Sequence, residues 1–219
     1  TSSSSRLPPP PFRGGDKKGN WIRSMKSLIL THSGNPSNSV TNYVAPGYVA
    51  ATWDATEANV NQVVASAAGN IDGLLIKLEG APGAGASRAF TVRINGVDAA
   101  VTATVSDTAT SASDFVNTAA VVAGDVITIK TVPAGTPAAS FNTAIALRFS
   151  STVTAESTLL GGSAGNALAT SGTEYLALTS QAPSATETLR RGVCGTSGTF
   201  KKFYVKLATP PGIGSSRGF

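Results

Sequence analysis

The 219-residue sequence predicts an all-β fold, and three observations support that prediction. Hydrophobic residues make up 41% of the chain and are mostly alanine and valine, whereas charged residues make up only 13%. Short apolar runs are bounded by glycine and proline, and no useful stretch has the period of a helix. A long segment also recurs about 130 residues later, which is the size of a whole domain.

The predicted strands follow from alternation and from turn signals. Phe90, Val92 and Ile94 alternate with polar residues, as in a half-buried strand, and Asn95-Gly96 then supplies the pair that a type I′ hairpin needs. The predicted strands are Leu28–Thr31, Asn42–Val49, Val60–Val64, Gly73–Leu78, Ala89–Asn95, 101–105, Asn117–Val122, 126–129 and Ala144–Ser150, with a loop or one short helical turn at 107–114 and a loop at 133–137. This spacing predicts an antiparallel two-sheet sandwich of jelly-roll type, with an immunoglobulin-like sandwich as the alternative.

The internal repeat is an ordered series of matches rather than a shared composition. GLLIKLEGAPGAGASRAF at 73–90 matches KFYVKLATPPGIGSSRGF at 202–219, so that Phe90 corresponds to Phe219 at an offset of 219 − 90 = 129. Upstream, after small gaps, residues 55–57 match residues 185–187 and residues 43–45 resemble residues 175–177. Further matched pairs are Gly69 and Gly198, Pro82 and Pro211, Gly83 and Gly212, Gly85 and Gly214, Ser87 and Ser216, and Arg88 and Arg217.

The repeat divides the chain into three parts. Residues 1–27 form a Pro-rich, basic, extended arm, residues 28–156 form a complete β-sandwich, and residues 157–219 form the first half of a second sandwich. The counterpart of residues 91–156 is missing from the second copy, and a half domain leaves strands unpaired. We therefore expect either a continuing chain or a second chain to complete it.

The net charge of +5 is concentrated in the arm, where Asp16 is the only acid. Such a segment can contact phosphate, an anionic surface or an acidic partner, but a solvated terminal segment is the simpler interpretation. No basic stripe interleaved with aromatic residues follows, so nucleic-acid binding is not favoured. No apolar run approaches the length of a membrane helix, and no membrane span is predicted.

Residues that could carry catalysis are few. His32 is the only histidine and is predicted to lie in a loop, and Cys194 is the only cysteine, so a disulfide within the chain and a cysteine-type metal site are both excluded. The Gly80–Gly85 segment lacks the Lys-Ser/Thr of a phosphate loop and is predicted to be a turn. The aspartates that could bind calcium if the fold brought them together are Asp98, Asp107, Asp114 and Asp125, and their spacing matches no calcium loop. The sequence predicts no enzyme, no catalytic residue, no cofactor and no metal ion, and it predicts solvated turns for the four aspartates.

Sugar binding would need an exposed aromatic platform, and the candidates that lie close in sequence are Tyr43, Tyr48 and Trp53. Asn35-Pro36-Ser37 is not an N-glycosylation acceptor, because proline occupies the middle position. Dense Ser and Thr with Pro could accept O-linked sugar, although β-propensity and turn chemistry explain the same composition.

The sequence APGAGASRAFTVRINGVDAAVT at 81–102, followed by VVAGDVITIKTVPAGTPAAS at 121–140, resembles a known type of repeat unit. Similar units occur in virion-appendage and microbial cell-surface fibre proteins encoded in environmental phage and aquatic microbial sequences. The resemblance implies several β-domains in series, an extracellular or virion-surface location, and no catalytic residues.

Three functional hypotheses follow. The first is a non-enzymatic structural subunit that assembles head-to-tail with copies of itself into an extracellular or virion-associated helical fibre, with strand or arm exchange between subunits. The second is a carbohydrate- or receptor-binding module of a tail fibre or surface appendage, with surface glycans as partners. The third is a capsid or decoration protein whose basic arm contacts nucleic acid.

Overall fold

Residues 26–151 form two β-sheets in a computed structural model, which describes residues 26–47, 49–60, 63–139, 142–153, 156, 168–176, 182–191, 197–205, 207 and 210–219. Short 3-10 helices lie at Glu57–Asn59 and Glu187–Leu189. The strands are β1 (Lys26–Ser33), β2 (Asn42–Val44), β3 (Val49–Ala51), β4 (Val63–Val64), β5 (Gly69–Leu78), β6 (Gly83–Ile94), β7 (Val97–Asp107), β8 (Ser111–Asp114), β9 (Ala119–Val121), β10 (Val126–Ala134) and β11 (Thr143–Ser151).

The first sheet has the order β3-β1-β11-β5, and both β8 and β9 pair with the outer edge of β5. The second sheet has the order β2-β10-β6-β7, and β4 also pairs with β10. All ladders are antiparallel except the short parallel contact between β1 and β3. The prediction of an all-β fold with two antiparallel sheets is confirmed.

The core lies between the two sheets and is built by alternation along the strands. In β6, Phe90 and Val92 point inward and are fully buried, while the alternate residues Thr91 and Arg93 are only partly covered. Burying one such large side chain contributes roughly 1.5–3 kcal/mol. The other fully buried apolar side chains include Val44, Ile71, Leu74, Ile76, Leu78, Val101, Val105, Ile127, Ile129, Leu147 and Phe149.

Several predicted ends of strands and loops are wrong. The causes are glycine turns within a predicted strand and polar strands at the edge of a sheet. The single strand predicted at 42–49 is two strands, because the chain turns at Gly47, which has a φ of 82°. The strand predicted at 60–64 is reduced to Val63–Val64 in the described residues. The loop predicted at 107–114 contains the end of β7 and all of β8, and β10 runs through Ala134 into the second predicted loop.

Of the two turns predicted from glycine, one is present in the structure and the other is part of a strand. Asn95 and Gly96 have φ angles of 52° and 77°, so the predicted type I′ hairpin between β6 and β7 is confirmed. Gly83 and Gly85 also have positive φ angles, of 98° and 72°, but they lie inside β6 rather than in a turn. The ladder with β7 skips register between Gly83 and Ser87, so this segment is a β-bulge.

The two halves of the sandwich interleave. The first half of the repeat supplies β1–β5 and most of β6, and the second half, which begins at residue 91, supplies the end of β6 and β7–β11. In the described residues, β1–β3 is the one strand ladder within the first half, and no ladder joins two of the strands β7–β11. Every other ladder joins one of β1–β6 to one of β7–β11, so neither half forms a sheet of this kind alone.

Candidate functional site

Of the two residues considered for catalysis, the structure describes only His32. His32 is exposed on β1 and not in the predicted loop, beside a shallow depression that Lys77, Glu79 and Asn142 also line. The Asn142 side-chain amide donates to Glu79 Oε2 at 2.8 Å. None of these four side chains is the activated nucleophile that histidine-assisted catalysis requires. Cys194 lies outside the described residues.

Three of the four aspartates fix local turns or pairs. Asp107 accepts a hydrogen bond from the Gly85 amide at 2.8 Å and so holds the bulge of β6. Asp125 accepts from the side chain of Asn95 at 2.7 Å, and Asp98 pairs with cations described below. Within the described ranges, no group of three or more His, Cys, Asp or Glu side chains is placed to hold a metal ion.

Asp114 is the exception to the predicted solvated turns, because its side chain is buried, with 7% of its surface exposed. Its carboxylate accepts hydrogen bonds from the backbone amides of Thr102, Val116 and Asn117 and from the Asn117 side chain, each at 3.0 Å. Desolvation by burial raises the pKa of Asp114, but these hydrogen bonds together outweigh it and lower the pKa from 3.8 to about 2. Asp114 therefore ties the loop after β8 to β7.

A charged network covers part of the outer face of the second sheet. Glu57, in the first 3-10 helix, accepts hydrogen bonds from Arg93 Nε at 2.9 Å and from the Thr128 hydroxyl. Arg93 also pairs with Asp98, which in turn pairs with Lys130. Burial raises the pKa of Glu57, while the hydrogen bonds from Arg93 and Thr128 lower it, and the net shift is downward. The network pins the 3-10 helix against β6 and β10.

The aromatic side chains considered for sugar binding have partners in the fold. The Arg93 guanidinium carbon lies 5.5 Å from the centre of the Tyr43 ring, a cation–π contact. The Trp53 ring centre lies 6.2 Å from that of Phe90, and Trp53 Nε1 donates to the Gly34 carbonyl at 3.0 Å. Tyr48 lies outside the described residues. Tyr43 and Trp53 therefore hold the β2–β3 region in place and do not form an open platform.

Arg88 is a buried cation that sequence patterning missed. Its side chain has no exposed surface, its Nη1 donates to the Ser37 carbonyl at 2.5 Å, and its Nη2 donates to the Ala138 carbonyl at 3.2 Å. Desolvation lowers the pKa of Arg88, and in the described part of the chain its Nε has no partner. Because one guanidinium group binds the Ser37 and Ala138 carbonyls, which belong to loops far apart in sequence, Arg88 acts as a clamp between those loops.

We expect Arg88→Lys to lower the free energy of unfolding by about 2 kcal/mol, because an ammonium group cannot reproduce the two-armed contact with the Ser37 and Ala138 carbonyls. Urea unfolding followed by circular dichroism measures the change. The matched control is Arg217→Lys, which alters the repeat counterpart of Arg88 at an exposed position and should change the free energy by less than about 0.5 kcal/mol. Equal effects of the two substitutions would contradict the clamp.

The second copy repeats local backbone geometry of the first. Tyr43 and Asp54 form an isolated antiparallel bridge, and so do Tyr175 and Ser184. The 3-10 helices at Glu57–Asn59 and Glu187–Leu189 follow at the same distance along each copy, since 187 − 57 = 130. Gly212 and Gly214 have φ angles of 95° and 76°, close to the angles of their counterparts in the β6 bulge.

One of the two arginine–carbonyl contacts recurs in the second copy, at an exposed position. Arg217 Nη1 donates to the Ala169 carbonyl at 2.7 Å, and Ala169 is the counterpart of Ser37, since 169 − 37 = 132. The Ala169 amide donates to Glu174 Oε2 at 2.6 Å, as the Ser37 amide donates to Asn42 Oδ1 at 2.6 Å. The two copies thus share a loop, a bridge, a short helix, a pair of glycines with positive φ and one arginine–carbonyl contact.

No family model, curated protein or solved structure matches this chain. None of the helices in the described ranges is both long enough and apolar enough to cross a membrane. The described residues of the segment 168–219 share local geometry with the first copy but form no strand ladder among themselves, and this segment is the candidate functional site.

In the sequence, Arg88 and Arg217, and likewise Gly69 and Gly198, are matched pairs of the repeat, and the pattern alone predicts no role for them. The available signal was the Ser-Arg-x-Phe motif, which places a cation two residues before a core phenylalanine in each copy. In an alternating strand, residues two apart share a face, so Arg88 points into the core beside Phe90.

Proposed function

We propose that this chain is a non-enzymatic structural subunit that assembles head-to-tail with copies of itself into an extracellular or virion-associated helical fibre. In this proposal the sandwich is of the jelly-roll type, and residues 157–219 begin a second one. The observation that carries the proposal is that the described residues of 168–219 form no strand ladder, whereas their counterparts in the first copy do. Unpaired strand edges are templates for strand addition from another polypeptide.

The repeat also supplies the geometry that a fibre needs. Once the second sandwich is completed, two near-equivalent domains present near-equivalent surfaces displaced along the chain, and head-to-tail contacts between such surfaces do not close into a ring. Growth by the same contact then gives a filament.

An apolar strip on the outer face of the first sheet supports a subunit contact. Leu30 on β1 is in register with Ala146 on β11, which is in register with Leu75 on β5. Leu28 and Leu30 expose 64% and 59% of their surface, and Leu75 exposes 43%. A row of exposed leucines across neighbouring strands is the kind of patch that marks an interaction site.

Electron microscopy of the purified protein, with intact mass measured on the same sample, tests the fibre. We expect long regular fibres, and removal of residues 1–25, which ends directly before β1, should abolish them if the arm is exchanged between subunits. A matched control keeps the arm and replaces only its five cations by serine, which should leave fibres in place if backbone contacts matter. Those cations are Arg6, Arg13, Lys17, Lys18 and Arg23.

Dispersed monomers of the intact chain would overturn the fibre proposal, and unchanged fibres from the shortened chain would overturn arm exchange. The glycan-binding alternative is less favoured, because Trp53 and Tyr43 already have partners in the fold. A glycan array on which the intact chain binds and the Trp53→Ala variant does not would reverse that preference.

A further inference from the structure

The turn between β6 and β7 carries a chemically labile pair of residues. Asn95-Gly96 is the single Asn-Gly pair in the 219-residue sequence, and both of its residues are exposed to water in the fold. Asparagine is one of the thermolabile residues of proteins. The lability is greatest before glycine, because glycine has no side chain to hinder attack by its own backbone nitrogen on the asparagine side chain.

The reaction available to this pair is deamidation, and water is its one co-reactant. A bond forms between the Gly96 nitrogen and Asn95 Cγ, and the side-chain nitrogen leaves as ammonia with the proton of the Gly96 amide. Water then adds to a carbonyl carbon of the resulting succinimide and breaks the bond from that carbon to the ring nitrogen. Opening at Cγ gives aspartate, and opening at the backbone carbonyl carbon gives isoaspartate.

In the folded protein, the turn between β9 and β10 binds both ends of the Asn95 side-chain amide. Asn95 Nδ2 donates to Asp125 Oδ1 at 2.7 Å, and Asn95 Oδ1 accepts from the Val126 amide at 2.9 Å. The Asn95 backbone amide donates to the Val126 carbonyl at 2.8 Å. Asp125 is itself fixed, because its Oδ2 accepts from the Val122 amide at 2.8 Å.

These contacts oppose the attack by Gly96. The Val126 amide polarises the side-chain carbonyl, which by itself favours attack, but the reaction also needs a close and aligned approach of the Gly96 nitrogen to Asn95 Cγ. Turning the Asn95 side chain towards Gly96 breaks its hydrogen bonds to Asp125 and Val126. The bond to Asp125 has a charged acceptor and is therefore the stronger of the two.

Either product weakens the tie between the two turns. Aspartate at position 95 places a carboxylate oxygen against Asp125 Oδ1, where an amide nitrogen donated before, and like charges at that distance repel. Isoaspartate carries the backbone through the side-chain carbons and lengthens it by one carbon. The two-residue turn then no longer fits the pairing of Ile94 with Val97.

We propose that Asn95 is a site of spontaneous deamidation that its native contacts with Asp125 and Val126 suppress, so that the reaction marks chains whose β6–β7 hairpin has opened and hinders their return to the fold. The site is a one-way record of opening of the sandwich. It does not depend on fibre assembly, because every atom involved lies within residues 94–126 of one chain.

The test follows the conversion of Asn95 with time near neutral pH, in native buffer and in urea. Tryptic peptide 94–130 is read by fragmentation mass spectrometry, which assigns the replacement of the amide by a carboxyl group to Asn95. We expect conversion in native buffer to be at least about tenfold slower than in urea, because the hairpin must open first. Equal rates, or a faster rate in native buffer, would overturn the proposal.

Asp125→Ala removes the acceptor of Asn95 Nδ2 and should speed conversion in native buffer by about tenfold. The matched control is Asp107→Ala, which also removes a carboxylate that accepts from a backbone amide but does not contact Asn95, and it should change the rate by less than about twofold. Circular dichroism checks that both variants are folded, and in urea all three chains should react at one rate. Equal rates of the two variants in native buffer would overturn the role of Asp125. The wild-type comparison depends on neither variant.

The effect of the product is measured on wild-type chains that were partly converted in urea and then returned to native buffer. Charge separation by ion exchange divides them into modified and unmodified fractions. We expect the modified fraction to unfold at a lower urea concentration than the unmodified fraction from the same sample. Identical urea midpoints would overturn the claim that modification hinders return to the fold.

Discussion

Gly69→Ala is expected to lower the free energy of unfolding by about 3–4 kcal/mol, at or above the upper end of the usual range for an overpacked core. Gly69 lies on β5 between β11 and β9, and the added methyl carbon would overlap the Phe149 ring and the Ser150 carbonyl oxygen. The ring is fully buried and the carbonyl belongs to the backbone, so neither can move away cheaply.

Gly34→Ala is the matched control, because a Cβ at Gly34 meets nothing within 4 Å. That substitution should be neutral or should stabilise the fold by up to about 1 kcal/mol, through the smaller entropy of the unfolded chain. Urea unfolding of both variants gives the two free energies. Similar values for Gly69→Ala and Gly34→Ala would show that β5 and β11 do not approach as closely as described.

Asp114→Ala should lower the free energy of unfolding by about 3 kcal/mol, because it removes the acceptor for three backbone amides and one side-chain amide. Asp114→Asn keeps one acceptor oxygen and the same shape, and should recover about half of the loss. Chemical unfolding near neutral pH measures both variants. A loss below about 1 kcal/mol for the alanine variant would contradict the anchoring role.

The same carboxylate should make stability depend on pH. The pKa of Asp114 is about 2 in the folded protein against 3.8 ordinarily, so its stabilising contribution is complete above 3.8 and is lost as the pH falls towards 2. A shift of this size in a buried carboxylate corresponds to a contribution of about 2 kcal/mol. The gap between the wild-type protein and Asp114→Asn should narrow over that interval.

Other carboxylates lose their contribution in acid as well. Burial raises the pKa of Asp72, but hydrogen bonds from Arg148 and Ser150 and the charges of Arg148 and Lys26 lower it overall. The pKa values of Glu57 and Asp98 are lowered in a similar way. The Asp114→Asn comparison separates Asp114 from these groups, because all of them are present in both proteins. A gap that stays constant down to a pH of about 2 would contradict the assignment.

The sequence patterns that predicted the fold were those with a local cause. Phe90 and Val92 alternate with polar residues because one face of β6 is buried, and Asn95-Gly96 forms its turn because both residues tolerate positive φ. These signals need no knowledge of the partner strand. They were sufficient to predict a two-sheet β-protein and the β6–β7 hairpin.

The features that were missed depend on distant contacts. Ser111–Asp114 is polar and was predicted to be a loop, yet it pairs with the edge of β5, where a strand needs no apolar alternation. From the sequence alone, Arg88 is expected to be a surface cation, because the Ser37 and Ala138 carbonyls that bind it come from distant parts of the chain. The division of the chain at 27 and 156, and the second sandwich itself, remain predictions.

Strands from the two halves alternate across both sheets, and this arrangement delays folding during synthesis. Synthesis delivers β1–β6 first, and until β7–β11 emerge from the ribosome almost none of those strands has a neighbour. Folding is therefore a late event that begins after most of the domain has been translated, and its contacts are far apart in sequence, which makes it slow. During that interval the nascent chain displays the apolar faces of β5 and β6, so we expect its yield in cells to depend on chaperones and on the rate of translation.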